Sequence, residues 1–382
     1  MSTPILQFGT SRFLQAHADL FVHQALEQQQ ALGKITVVQT TGSAQSAQRL
    51  AAFNAPGGYP VRIRGIESGA VVDQEYCVTS IAAGLHADHD WPAVRALAAG
   101  PVQVIVSNTG DRGYELSAQD GPELLGAATP PRSFPAKLLD LLHHRYRHGG
   151  SPVTLYPCEL VANNGSMLRG LVCKLAREWQ LDEAFLAYLE DTCVWVNSLV
   201  DRIVSEPIEP AGAVAEPYAI WVIEAQENMV LPCTHPQIVV TDKLEPYERR
   251  KLFLLNLGHT FLAEQWLQWG RPEDETVLQA ISDPKLRAEL EALWEEEVLP
   301  VFQARGEGKI ARAYLTQVRD RFNNPFLAHR LADIAQNHEE KKRRRLLPVL
   351  ALANRMQLPL TQPRLRAALR IAAARPATDY VA

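Results

Sequence analysis

The apolar positions of the first third of the chain change period again and again. Residues 5–8, 35–39, 102–107 and 153–156 are short β-branched or wholly apolar runs, as in Ile35-Thr36-Val37-Val38. Between them, residues 13–29, 44–52, 92–99 and 136–147 place apolar side chains every three or four positions, as helices do. Residues 61–66 and 71–81 read as a hairpin inserted into this series. Strands alternating with helices predict an α/β domain, a doubly wound parallel sheet with helices on both faces. From Gly165 the period turns helical, over 167–179 and 182–189, with β-like runs at 218–223 and 238–241. Residues 206–216 are rich in Pro and Ala and read as an exposed loop. Beyond Pro246 only helical periods follow, at 249–268, 284–294, 310–321, 328–337 and 343–353. The pattern thus predicts a sheet domain over 1–244 and a predominantly α-helical domain over 245–382.

A length of 382 residues fits two or three domains, and 47% hydrophobic with 21% charged residues is ordinary for a globular protein. A net charge of -5 gives no reason to expect a nucleic acid or an acidic membrane as partner. No apolar run approaches the ~18 residues of a membrane span. The N-terminus runs directly into the first strand-like segment, so no signal peptide is expected. Cys77, Cys158, Cys173, Cys193 and Cys233 are odd in number and scattered. That pattern argues against a disulfide framework or a zinc knuckle and for a reducing, cytoplasmic setting. The basic run Lys341–Arg345 follows Glu339 and Glu340 at helical spacing. It reads as a solvated, self-paired helix face, with nucleic-acid binding as the alternative.

Two regions carry candidate chemistry. The first is the turn Gly9-Thr10-Ser11-Arg12-Phe13 after the first strand. A glycine between a strand and a helix lets backbone N–H groups approach a pyrophosphate, although a plain turn would use one too. The second strand ends Gln39-Thr40-Thr41, without the acid that normally meets an adenosine ribose, so a 2′-phosphate is not repelled. Asn108 and Thr109 follow an apolar strand and would face the same ligand crevice. Asn164-Gly165, after the strand at 153–156, is either part of that crevice or only a turn.

The second region is a helix starting near Pro246. At about 100° per residue, Glu248, Lys251, Asn256 and His259 fall within an arc of roughly 140°. The surrounding positions are Leu and Phe, so the helix is expected to be buried. A desolvated lysine has a lowered pKa and can act as a base near neutrality. An asparagine amide stabilises an alkoxide, and a histidine orients a hydroxyl. The alternative is a structural polar network.

With these motifs in place, the chain resembles the polyol-specific long-chain dehydrogenase/reductase family, also called the mannitol dehydrogenase family. The matching pieces are Gln7-Phe8-Gly9, Phe134-Pro135-Ala136-Lys137-Leu138, Pro157-Cys158-Glu159-Leu160, Asn164-Gly165, Asn197–Ile203, the Lys251/Asn256/His259 spacing, and Arg321-Phe322-Asn323-Asn324-Pro325 with His329. The resemblance implies a Rossmann-type first domain, a helical second domain with substrate between the two, and metal-independent chemistry. It implies Lys251 as general base, with Glu248 relaying its proton. It implies Asn164 and Asn256 as oxyanion donors and His259 as substrate holder. Asp201, Arg321, Asn324 and His329 are implied near the substrate. Pro157–Leu160 and the Pro-Tyr-x-x-Arg-Lys run look most like the tagaturonate and fructuronate reductase branch, which implies a sugar acid. Ser11 and Gln15 stand where the family commonly has Gly and Arg, and Leu257-Gly258 where that branch has Gly-Ala. The implied cofactor is NAD or NADP, with NAD preferred, and the implied partner is a small polyol or sugar acid. Monomer and dimer both fit. The rival reading is a dinucleotide-binding sensor or interaction protein that has no turnover and needs no base.

Overall fold

The computed structural model describes residues 3–42, 44–110 and 112–371. Thirteen strands occur among them. They are β1 (Ile5–Phe8), β2 (Ile35–Gln39), β3 (Tyr59–Glu67), β4 (Ala70–Val78), β5 (Ile81–His86), β6 (Val104–Ser107), β7 (Val153–Pro157), β8 (Cys193–Trp195), β9 (Ser198–Asp201), β10 (Val204–Pro207), β11 (Ala213–Ala215), β12 (Ile220–Glu224) and β13 (Ile238–Thr241). Contacts divide the chain into two compact units. The first holds residues 1–63, 74–215 and 219–244. The second holds 64–73, 216–218 and 245–382.

The first unit is built on a six-stranded sheet in the order β5-β2-β1-β6-β7-β8, parallel throughout. Counted along the chain, its strands run 3-2-1-4-5-6, the doubly wound dinucleotide-binding order. Every residue of β1, β2, β6 and β7 is buried, because helices cover both faces. The helices Ala87–Ala99, Phe134–Arg147 and Asn164–Glu178 pack Trp91, Leu138 and Val172 into this core. Trp91 and Arg95 both contact the buried Asp140 carboxylate, at 2.7 and 3.0 Å. Asp140 also accepts from the Gly126 amide at 2.9 Å, which anchors the long connection after β6.

Three local readings change. The expected helix over 13–29 is two helices, Arg12–Gln15 and Ala18–Glu27, because His17 leaves helical geometry at φ -125°, ψ -94°. The expected 71–81 strand is two: β4 belongs to a separate sheet, β10-β11-β3-β4, and β5 is an edge of the main sheet. The expected loop at 206–216 is half ordered as β10 and β11, and residues 211–216 are buried.

In the second unit the described residues after Thr241 form no strand, only an isolated bridge between Thr276 and Arg330. One core joins Leu254, Phe261, Leu286, Trp294, Phe302, Leu315 and Leu350 across successive helices. The expected helix over 249–268 runs from Glu245 to Trp269, with a π turn at Lys251–Asn256 in its middle.

Candidate active site

At the carboxyl ends of β1 and β6 the backbones nearly touch. Gly9 has φ +111°, and a Cβ there would lie 2.5 Å from the Asn108 carbonyl oxygen. No other residue fits. Ser11 caps the short helix, accepting from the Leu14 amide at 3.2 Å and donating to Asn108 Oδ1 at 3.0 Å. Gln15 holds the same turn to the β10–β11 connection, donating to Thr10 and accepting from the Gly212 amide. Arg12 turns the same way, onto the Ile208 and Gly212 carbonyls and the Glu209 carboxylate. Phe13 stacks on His17, with ring centres 4.7 Å apart. A cavity of about 490 Å³ opens on this edge of the sheet. Thr40, Thr41, Thr109, Ser117, Arg132 and Lys137 are among its lining residues. A glycine-pinned turn at the strand-order reversal, beside a hydroxyl- and cation-lined cavity, fits a dinucleotide. The periodic pattern did not single out Ser117 or Arg132; they lie in an aperiodic connection held by Asp120, which accepts from the Arg132 and Ser133 amides.

Behind this turn lies a buried polar network. Glu159 accepts from the Ser107 hydroxyl at 3.1 Å and from the Thr109 amide and hydroxyl at 3.0 and 2.9 Å. Asn164, 1% exposed, donates to the carbonyls of Pro157, Glu159 and Ser198 and accepts from the amides of Gly165 and Ser198. A Cβ on Gly165 would lie 2.4 Å from the Val196 carbonyl oxygen. The Asn-Gly pair is therefore a clamp between the turn after β7 and the chain entering β9. Asp201 ends β9 and is buried.

In the second unit, the π turn changes the geometry of the lysine motif. Bonds from i to i+5 place residues five apart one turn above each other. Lys251 and Asn256 so come onto one side, and His259 continues it one α-turn later. Glu248 precedes Lys251 by one turn on the same run. The bulge has a clear support: the buried Trp294 indole donates to the Leu254 carbonyl at 3.1 Å. Gly258 makes room for that indole, since a Cβ there would lie 2.5 Å from Trp294 Cζ2. The helix is less buried than expected at its polar positions. Glu248, Lys251 and Asn256 are half-buried, and the Asn256 amide makes no side-chain hydrogen bond within the described residues.

His259 is buried, stacked on Phe322 at 4.4 Å and edge-on to His329 at 4.8 Å. Burial holds it well below the usual imidazole range, and His329, Arg321 and Arg345 push the same way, so its ring is neutral at neutral pH. Arg321 forms a two-bond pair with the buried Glu216 at 2.9 and 2.8 Å and lies over the Tyr218 ring. Asn324 donates to the Arg64 carbonyl and accepts from the Phe326 amide. Among the described residues no group of three His, Cys, Asp or Glu side chains has the arrangement of a metal site.

A doubly wound sheet with this first turn, in a chain whose helical unit carries a spaced lysine, asparagine and histidine, defines a nicotinamide-dependent dehydrogenase acting on a CH–OH group. Residues 3–233 match the mannitol dehydrogenase Rossmann domain, and residues 243–370 match the mannitol dehydrogenase C-terminal domain. The chain belongs to the mannitol dehydrogenase family. Altronate oxidoreductase of Halalkalibacterium halodurans is 34% identical over 366 residues, covering 90% of this chain and 69% of that protein. The Bacillus subtilis altronate oxidoreductase is 32% identical over 372 residues, covering 91% and 74%. The fold is that of a solved D-sorbitol dehydrogenase, with TM-score 0.81 at 21% identity, covering 97% of this chain and 81% of that one. It is also that of Pseudomonas fluorescens mannitol 2-dehydrogenase, solved with NAD and D-mannitol, with TM-score 0.72 at 18% identity, covering 97% and 78%.

Proposed function

We propose that the chain interconverts a secondary hydroxyl and a ketone on a sugar acid, using NAD, with Lys251 as general base. The observation that carries this reading is the π turn. It gathers Lys251 and Asn256 on one side of a helix, with a neutral His259 one turn on. A bound nicotinamide supplies the hydride acceptor. Lys251 takes the hydroxyl proton and passes it toward Glu248. The Asn256 amide donates to the developing alkoxide, and His259 holds the adjoining hydroxyl. Asn164 is the second proposed donor. Its amide hydrogens rest on backbone carbonyls here, so reaching a substrate means giving up at least one of those bonds.

NAD is proposed over NADP because Arg12, the cation of the first turn, is paired with Glu209 at 2.8 Å, which leaves a 2′-phosphate to Arg132 and Lys137 of the cavity lining. The altronate oxidoreductase relatives favour a hexonate over a neutral polyol as substrate.

The test is a nicotinamide absorbance assay with polyols, aldonates, ketohexoses and ketouronates, each with NAD(H) and NADP(H). We expect turnover on sugar acids with NAD(H), abolished in Lys251→Ala while that variant stays folded. Near wild-type rates in Lys251→Ala would remove the mechanism. Dinucleotide binding without turnover on any substrate would favour a sensor.

A further inference from the structure

The helix His338–Arg345 carries five consecutive cations, and they do not behave alike. Lys342 is buried and paired with Glu264 at 3.0 Å and Glu339 at 2.7 Å. Arg344 reaches Glu340 at 3.5 Å, and Arg343 is exposed. The expected self-paired, solvated face therefore describes only part of the run. Lys341 and Arg345, four residues apart, share a different face of the helix. Both are half-buried, and neither meets a carboxylate among the described residues. Arg345 donates to the Thr260 hydroxyl at 3.0 Å, and Lys341 donates to the Ile334 carbonyl at 2.9 Å. Burial lowers both pKa values, and the charges facing them are cationic: Arg344 for Arg345, and Arg345 for Lys341.

Two half-buried cations side by side without an anion are costly, and such a pair is stable when an anion completes it. Its position is informative. Thr260 directly follows His259, and Arg345 lies near enough to His259 to depress its pKa. Lys341 acts likewise on His329, whose buried Nδ1 has no hydrogen-bond partner among the described residues. Of the other arginines on this unit, Arg321 is held by Glu216, Arg319 by Glu291 and Glu295, and Arg312 by Glu295, while Arg330 is exposed rather than half-buried.

We propose that Arg345 and Lys341 receive the carboxylate of the substrate, one end of which His259 holds, and so select a sugar acid over the neutral polyol of the same skeleton. This rests on the dehydrogenase reading above. It adds the residues that recognise the acid.

The test measures binding of D-altronate and D-altritol to the full chain by calorimetry, with NADH present so that no turnover occurs. Wild type, Arg345→Gln and Lys341→Gln are compared, with melting temperatures to confirm folding. We expect wild type to bind altronate about tenfold or more tighter than altritol. In Arg345→Gln the altronate affinity should fall by about tenfold to a hundredfold with altritol affinity little changed. Lys341→Gln should fall in the same direction, and it carries the test if Arg345→Gln does not fold. Equal loss for both ligands, an altronate preference that survives both substitutions, or no preference in wild type would overturn the assignment. Turnover of altritol without any altronate preference would remove the carboxylate site and leave the dehydrogenase. An Arg345-dependent altronate preference in a chain that never reduces NAD would do the reverse.

Discussion

Asn164 and Asn256 are assigned the same chemistry, yet their surroundings differ. Asn164 is buried, with its donors on three carbonyls and its oxygen on two amides. Asn256 is half-buried, and its amide has no hydrogen bond among the described residues. The two truncations should therefore separate. Asn256→Ala should slow turnover about 100- to 1,000-fold, as for one lost oxyanion donor, and leave the melting temperature within error. Asn164→Ala should slow turnover and also destabilise the fold by about 1–3 kcal/mol, because buried amides and carbonyls lose their partner. Kinetics and thermal melts on both variants check this, and an unchanged melt for Asn164→Ala would mean the clamp is redundant. The residue scale also shows what a sequence can reveal. The spacing of Lys251, Asn256 and His259 was visible because it is local. The need for Gly165 was not, since its reason is the Val196 carbonyl in the connection between β8 and β9. Nor was the commitment of Arg321, whose partner Glu216 stands 105 residues away.

Among the elements, legibility followed length and burial. β1, β2, β6 and β7 are buried on both faces and read as apolar runs. β8 and β11, three residues each, are too short to show an alternation. β5 carries Ala82, Ala83 and Gly84, a composition that no strand pattern marks. The π turn was hidden for a different reason. One extra residue per turn leaves the apolar period of the flanking helices intact, so 249–268 reads as a single α-helix. What stabilises the turn is a remote tryptophan. Trp294→Phe keeps the aromatic ring but removes the only donor the indole offers to Leu254. The Leu254 carbonyl then keeps the Leu257 amide, and losing the indole hydrogen bond should lower stability by about 0.5–1.5 kcal/mol. Because the turn aligns Lys251 with Asn256, kcat should fall with it, while KM for the dinucleotide stays near wild type. A stable loss of kcat confirms the link from bulge to base. A lower melting temperature with unaltered kcat would show that other packing, such as Gly258 against the ring, holds the alignment.

At the scale of the whole molecule, each unit has its own core, one centred on the six-stranded sheet and the other on the helices from Leu254 to Leu365. The dinucleotide fit belongs to the first unit alone: the Gly9 turn, Asn108 and Thr109 after β6, and the cavity beside Arg132 and Lys137. Binding there must stabilise that unit by linkage. At a ligand concentration about a hundred times Kd the gain is about 2.7 kcal/mol. Hydrogen exchange with and without saturating NADH reads where that stabilisation falls, independently of any substrate. Protection should concentrate in three segments: the turn at 9–15 after β1, the chain after β6 at 108–110 and 112–117, and 132–137 around the start of the helix Phe134–Arg147. Lys137 is the sharpest reporter, being buried, held on the Arg132 carbonyl at 2.6 Å, and pushed down in pKa by that burial. Lys137→Met should weaken NADH binding while sparing the exchange pattern of the helical unit. If NADH protects none of these three segments, the cofactor does not bind at the edge that the strand order and the Gly9 turn define. The proposed division of labour, with dinucleotide on the sheet and base on the helix, would then fail at its first half.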